Sequence, residues 1–313
     1  MTPMKTVHCV GVLVVDALCG PLAGYPAPGR QPQVVAQSIR FMPGGGAANT
    51  ASALAQMGLP VGVFSKVGGD LTGRFLLEEL AGRGVDNSGV AVSAGESTPF
   101  TFVGIGPDGN RTFIHTPGAN LTFGLADIDR DRLLKADFLF YQDLWVLPNL
   151  DGPGGASLLA EARTRGLTTL LDECWGLGPD RDKLETMLPH ADYVVPSLED
   201  LLAIYPGRSG PEMIRTLAER GATKVVLKMG SEGCLVWSGG APTRVPSCAT
   251  RIVDTTGAGD CFNAGFVAGL ACGLTDVQAA RLGSLAAAAC IRHVGGATGI
   301  PRLEVLMEEV DSE

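Results

Sequence analysis

The chain has no excess of positive charge. Its 313 residues carry 24 Lys and Arg against 33 Asp and Glu, a net charge of −9. That excludes a general binder of nucleic acid or of anionic membranes, which would show a basic stripe. No apolar run reaches membrane-spanning length, and the first residues lack the basic-then-apolar pattern of a secretion signal. The two glycosylation sequons, Asn110-Arg-Thr and Asn120-Leu-Thr, therefore carry little weight. The eight Cys are scattered without a C-x-x-C pair, and the four His (His8, His115, His190, His293) are isolated. Zinc-ligand spacing is thus missing, and free thiols in a reducing cytoplasm are the expectation. Internal repeats and low-complexity segments are missing too, as is the G-x-x-x-x-G-K-[ST] phosphate loop.

What is present is apolar and glycine-rich. Hydrophobic residues make up 45% and charged residues 18%, with 43 Gly, so a large core is available. The length fits about two domains or one large α/β domain with an insertion, and we read a single domain over 1–313. Residues 7–15 form an apolar run ending in Asp16, a buried strand. Residues 47–57 read as an Ala-rich helix stopped by Gly58, and 71–81 as a helix with Asp70 as its N-cap. Between and beyond them, strands are expected at 61–66, 138–142, 168–171, 193–195, 224–228 and 235–237. Helices are expected at 155–165, 181–188, 198–204, 211–220, 257–271, 276–293 and 301–310. Such alternation implies a mostly parallel sheet covered on both faces. Residues 17–43 and 90–118 lack helical periodicity and predict a small second β-sheet.

The most informative stretch is Asp254-Thr-Thr-Gly-Ala-Gly-Asp260, leading into a helix. Gly257, Ala258 and Gly259 can turn successive N–H groups one way, and a helix N-terminus is a ready anion site. Asp260 adds a carboxylate. Amides that hold phosphate charge beside an acid that takes a hydroxyl proton suit phosphoryl transfer. The plainer reading, Thr256 or Asp260 as a helix cap, accounts for one residue and not for the run of seven. Pro43-Gly-Gly-Gly-Ala-Ala-Asn49 brings glycines into a second helix start, where a ligand could approach or the chain could simply turn. Asp16 could face a strand-end crevice or cap a turn. Lys228-Met-Gly230-Ser-Glu-Gly233 joins two strands, as a nucleotide passage or an ordinary hairpin. Residues 104–109 match G-x-G-x-x-G but continue as a strand, and Pro-Asp-Gly is turn chemistry, so we read a hairpin and no dinucleotide site.

Together these residues resemble the ribokinase-like (PfkB) family of carbohydrate kinases, over nearly the whole chain. Gly44-Gly-Gly-Ala-Ala-Asn49 is similar to the family's first signature and residues 254–266 to its second, with Asp16, Gly118-Ala-Asn120, 228–233 and 295–299 in the expected order. The resemblance implies a three-layer α/β fold with a mostly parallel sheet and a β lid at 17–43 and 90–118. It implies transfer of the γ-phosphate of ATP to a sugar hydroxyl, with Mg²⁺. Asp260 would be the general base and the amides of 257–260 the anion hole. Asp16, Gly44, Gly45, Asn49 and Asn120 would lie on the sugar side, and Lys228, Gly230 and Gly233 on the ATP side. Asp254, Thr256, Gly295 and Gly299 match the loops where relatives hold potassium.

Two departures stand out. Where the family often carries Asn-x-x-Glu for Mg²⁺ and phosphate, this chain has Ser197-Leu-Glu199-Asp200. Where ribokinase has a sugar-binding acid, this chain has Leu144, so that Gln142, Asp143 and Trp145 would shape a different pocket with Trp175. A nucleoside kinase on the same fold stays open as an alternative, as does a catalytically weak sugar-binding or regulatory protein. The apolar lid residues Val90, Val92, Phe100 and Phe102 suggest pairing into a homodimer.

Overall fold

The computed structural model describes residues 4–25, 29, 33–106, 110–174 and 178–311. Strand β1 (Val7–Val10) leads into β2 (Val14–Leu22) and β3 (Ala36–Gly44), then α1 (Gly46–Met57), β4 (Val61–Gly68), α2 (Leu71–Gly82) and β5 (Asp86–Ser93). Next come β6 (Phe100–Ile105) and β7 (Arg111–Thr116), a 3-10 turn at Gly118–Leu121, α3 (Arg130–Leu133) and β8 (Phe138–Leu144). The pattern then alternates through α4 (Pro153–Thr164), β9 (Thr168–Glu173), α5 (Arg181–Met187), β10 (Tyr193–Val194), α6 (Leu198–Leu201), α7 (Gly210–Glu219) and β11 (Val225–Lys228). The chain ends with β12 (Cys234–Trp237), β13 (Thr243–Val245), α8 (Ala258–Ala271), α9 (Asp276–Cys290) and α10 (Leu303–Asp311).

Nine strands form the main sheet in the order β13-β12-β11-β10-β9-β8-β1-β4-β5. From β11 to β5 the pairs are parallel, and β12 and β13 add an antiparallel edge. Side chains alternate between two cores. Val7, Cys9, Phe138 and Phe140 face one with α1, α8 and α9, through residues such as Ala51, Phe266 and Ala286. Val10, Leu139 and Tyr141 face the other with α4, α5 and α7, through Leu159, Met187 and Leu217. Both faces are covered, which is why these strands read as continuous apolar runs rather than alternating ones. Helices α8 and α9 meet along small residues: a Cβ on Gly265 would stand 2.7 Å from the Leu282 carbonyl oxygen.

The second sheet has four strands, in the order β3-β2-β6-β7. Two expectations are corrected. Residues 7–16 are not one strand: the chain breaks after Val10 and resumes as β2 in the other sheet, with Asp16 inside that strand, opposite Met42 and Thr101. Gly11 sits at the break because a Cβ there would reach 2.6 Å from Asp143 Oδ2. Val90 and Val92 lie in β5, which pairs in parallel with β4 at the edge of the main sheet, so the small sheet draws on residues 14–44 and 100–116. The antiparallel pairing of β6 with β7, Ile105 opposite Arg111, fits a hairpin rather than a dinucleotide loop, although residues 107–109 of that motif lie outside the described residues.

Candidate active site

The loop before α8 turns at Gly257, whose φ of 74° is left-handed. A side chain there would also meet the backbone of Gly296 at 2.7 Å. The first N–H groups of a helix have no acceptor within it. Ala258 donates instead to the Thr255 carbonyl at 3.2 Å, so Gly259 and Asp260 carry the first-turn donors aimed out of α8. Gly259 is exposed, with only Lys228 Nζ near, 3.7 Å from where its Cβ would be. Asp260 stands in this turn, and Asn49 Nδ2 of α1 donates to its Oδ2 at 2.8 Å. Thr50 Oγ1 donates to the Asp260 carbonyl at 3.2 Å. Burial pushes the Asp260 carboxyl up to about 6, with the Asp172 charge adding and Asn49 and Lys228 opposing. The two signatures are thus joined by a direct hydrogen bond.

On the other side of the crevice, Asp16 is partly buried beside Gly44, where any Cβ would overlap its carboxylate. Burial pushes Asp16 up to about 6; the Asp260 charge adds, and Thr101 and Arg111 oppose. Gly45 turns with φ of 92° against the Val12 carbonyl. The start of α1 is organised by Asp143, a residue expected from the sequence to shape a pocket. It is buried in a left-handed conformation, φ 61°. Its Oδ2 accepts from Val12 N at 2.7 Å and Ala47 N at 3.2 Å, and its Oδ1 from Gly46 N at 3.0 Å. Burial and the Asp260 charge push its carboxyl up to about 7 against those three donors.

Gln142 and Asn120 are both buried. Gln142 Nε2 donates to Thr50 Oγ1 at 2.7 Å and the Gly46 carbonyl at 3.3 Å, so it braces α1. Asn120 lies in the 3-10 turn, and neither atom of its amide has a hydrogen-bond partner. Trp145 and Leu144 pack in the core; the Trp145 indole donates to the Asp180 carbonyl at 2.8 Å. Trp175 lies outside the described residues.

Lys228 ends β11, and its Nζ meets Asp172 Oδ2 at 2.8 Å and Asn263 Oδ1 at 3.3 Å. Burial would lower this ammonium's pKa, but Asp172, Glu173 and Asp260 raise it overall. The side chain therefore lies under the first turn of α8. Buried Glu173 accepts from Ser197 N at 2.7 Å, and burial with the Asp172 charge holds its carboxyl well above the ordinary range. Asp200, partly buried on α6, is also raised by burial, and Glu199 beside it is exposed. Asp172, Glu173 and Asn263 are not among the residues expected from the sequence; the two acids that close β9 were the available signal. Gly230 is open to solvent, whereas a side chain on Gly233 would overlap the Val245 carbonyl.

Asp254 and Thr256 meet a cation, but it belongs to the chain. Arg111 Nη2 of β7 stands 2.6 Å from Asp254 Oδ2, and its Nη1 donates to Thr256 Oγ1. Gly295 N donates to Asp254 Oδ2 at 2.8 Å and Thr256 N to its Oδ1 at 2.9 Å. Burial would raise this carboxyl, yet these bonds hold it below the ordinary range. A side chain on Gly295 would overlap Met42, and one on Gly299 the His293 ring.

A helix start with free first-turn N–H groups and an acid and an ammonium beside it suits group transfer to a hydroxyl. The model of the pfkB family carbohydrate kinases matches residues 9–303. A sugar kinase of Archaeoglobus fulgidus, itself uncharacterised, is 33% identical over 263 residues, covering 80% of this chain and 98% of its own. Fructoselysine 6-kinase of Escherichia coli is 29% identical over 299 residues, covering 93% and 99%. The structure of Arabidopsis thaliana ribokinase complexed with ribose and ATP superposes with a TM-score of 0.85 at 22% identity, covering 98% of this chain and 99% of that one. The chain belongs to the pfkB family of carbohydrate kinases and has the ribokinase fold.

Proposed function

We propose that this kinase transfers the γ-phosphate of ATP to a hydroxyl of a small carbohydrate, with Asp260 as the general base. The Asn49–Asp260 hydrogen bond supports the reading: it joins the glycine-rich start of α1 to the acid in the first turn of α8. Asp16 and Asn49 hold the sugar, and Gly44 leaves the Asp16 carboxylate within reach of it. A base near 6 is ionised at neutral pH and ready to take the hydroxyl proton. The N–H groups of Gly259 and Asp260 and the Lys228 ammonium meet the charge on the transferred phosphate, with Gly230 on the nucleotide side. The second sheet acts as a lid that excludes water, a competing nucleophile.

Mg²⁺ accompanies the nucleotide, and Asp200 and Glu173, within electrostatic reach of each other, would hold it, with Glu199 exposed at the rim. Among the described residues no group of three or more His, Cys, Asp or Glu forms a cage. Mg²⁺ keeps waters and takes one or two carboxylates plus phosphate oxygens, so it would ask no more of the protein than these acids. When bound, the ion neutralises charge between the phosphates. The potassium position does not carry over, because Arg111 already pairs with Asp254.

Asp260→Asn is expected to lose at least about 10²-fold in kcat while calorimetry still detects sugar binding. Near-normal turnover would sink the assignment. A panel of sugars and nucleosides, read by ATP consumption, identifies the acceptor. Exposed apolar residues on the small sheet, Ile39, Phe41, Phe113 and Ile114, support a homodimer through the lid. A monomeric mass at micromolar concentration would count against it.

A further inference from the structure

The environment of Asp254 is fully subscribed. Its carboxylate is 5% exposed and accepts from the Arg111 guanidinium, Gly295 N and Thr256 N. The carbonyls around it are engaged as well. Thr256 O accepts from Cys290 Sγ at 3.6 Å, and Ala297 O from Gln56 Nε2 at 2.7 Å. The guanidinium binds as a fork, one nitrogen on Asp254 and the other on Thr256, and so takes up both oxygens that a metal would need. A free cation placed here would share one carboxylate with a fixed positive charge and be repelled by it. The donor set therefore does not fit a monovalent metal.

We propose that Arg111 is the built-in cation of the α8 loop, a positioning residue that fixes the anion hole and makes turnover independent of potassium. It acts through Asp254 and Thr256, which set the backbone leading into Gly257. Because Arg111 is the first residue of β7, the charge is delivered by the second sheet, and Met42 of β3 reaches Gly295 from the same side. The inference rests on the kinase reading for its activity arm only.

The test compares wild type, Arg111→Met and Arg111→Lys in tetramethylammonium buffer, titrated with KCl at matched ionic strength. Wild-type kcat is expected to change by less than about twofold across the titration, whereas loss of one anion-hole donor costs on the order of 10²-fold. Arg111→Met is expected to lose about tenfold or more in kcat and to recover with saturable dependence on K⁺, while Arg111→Lys stays insensitive. Thermal unfolding supplies the second readout: K⁺ should raise the Tm of Arg111→Met and leave that of wild type in place. K⁺ activation or K⁺-dependent stabilisation of the wild type overturns the proposal. So does an Arg111→Met enzyme that is fully active without K⁺, or one that is folded, inactive and unresponsive to it. Should no sugar be phosphorylated at all, the Tm comparison still decides the matter.

Discussion

At the scale of single residues, the site is a set of acids held at unusual proton affinities. Asp260 at about 6 is the proposed base, and its inflexion should appear in kcat/KM, with activity lost as pH falls through that value and the carboxylate takes up a proton. The Asn49 amide opposes the rise by bonding the charged form. Asn49→Ala is therefore expected to move the acid limb of the pH–rate profile upward, in addition to weakening sugar binding. An unmoved limb would separate Asn49 from Asp260 in solution. The same residue scale sets what could be read without a structure. The Gly-Ala-Gly-Asp turn is local, so its conformation is written in consecutive residues. The pairing of Arg111 with Thr256 spans 145 positions and has no local signal.

At the scale of elements, Asp143 organises α1 from a distant strand end. Removing its carboxylate leaves the buried N–H groups of Val12, Gly46 and Ala47 without acceptors. Asp143→Ala is expected to cost about 2–4 kcal/mol by urea unfolding, since each unsatisfied buried donor costs about 1–3 kcal/mol and relief of a buried charge offsets part of the sum. Most helices and strands were legible because apolar runs and caps announce them; Asp70 caps α2 by accepting from Gly73 N at 2.8 Å. Two features were not. Residues 7–16 are apolar on both sides of the break at Gly11, so nothing in composition marks the change of sheet. Strand β5 is half-exposed at an edge and alternates as an antiparallel strand would. The α8 motif, Asp16 and Gly44 drew attention in the sequence, and Asp143 only as a pocket residue; its bonds to α1, Glu173 and the Lys228–Asp172 pair had no local signal, because only the stacking of β8, β9 and β11 brings them near.

At the scale of the whole molecule, buried acids tilt stability toward mild acidity. Asp143 is pushed up to about 7, and Asp16, Asp151 and Asp260 to about 6, chiefly by burial. Each holds a proton in the folded chain at pH values where the unfolded chain has released it. Their contribution is present below the unfolded carboxylate value and is lost as pH rises through 6 to 7. Asp70, lowered to about 2 by bonds from Thr98, Gly73 and Thr72 that outweigh its burial, works the opposite way and is lost in strong acid. Tm is thus expected to be higher near about pH 5.5 than near about pH 8, and to drop below about pH 4. A flat profile between 5.5 and 8 would show that these carboxyls titrate normally.

The bond between Asn49 and Asp260 ties together two stretches of chain that otherwise keep separate duties. On the proposed reading, residues 14–49 carry the acceptor side, and 225–299 the phosphate side. Selectivity and turnover would then be inherited on different parts of the gene. A lineage can exchange one sugar for another by drift in the first stretch while the second, which every acceptor needs, stays as it is.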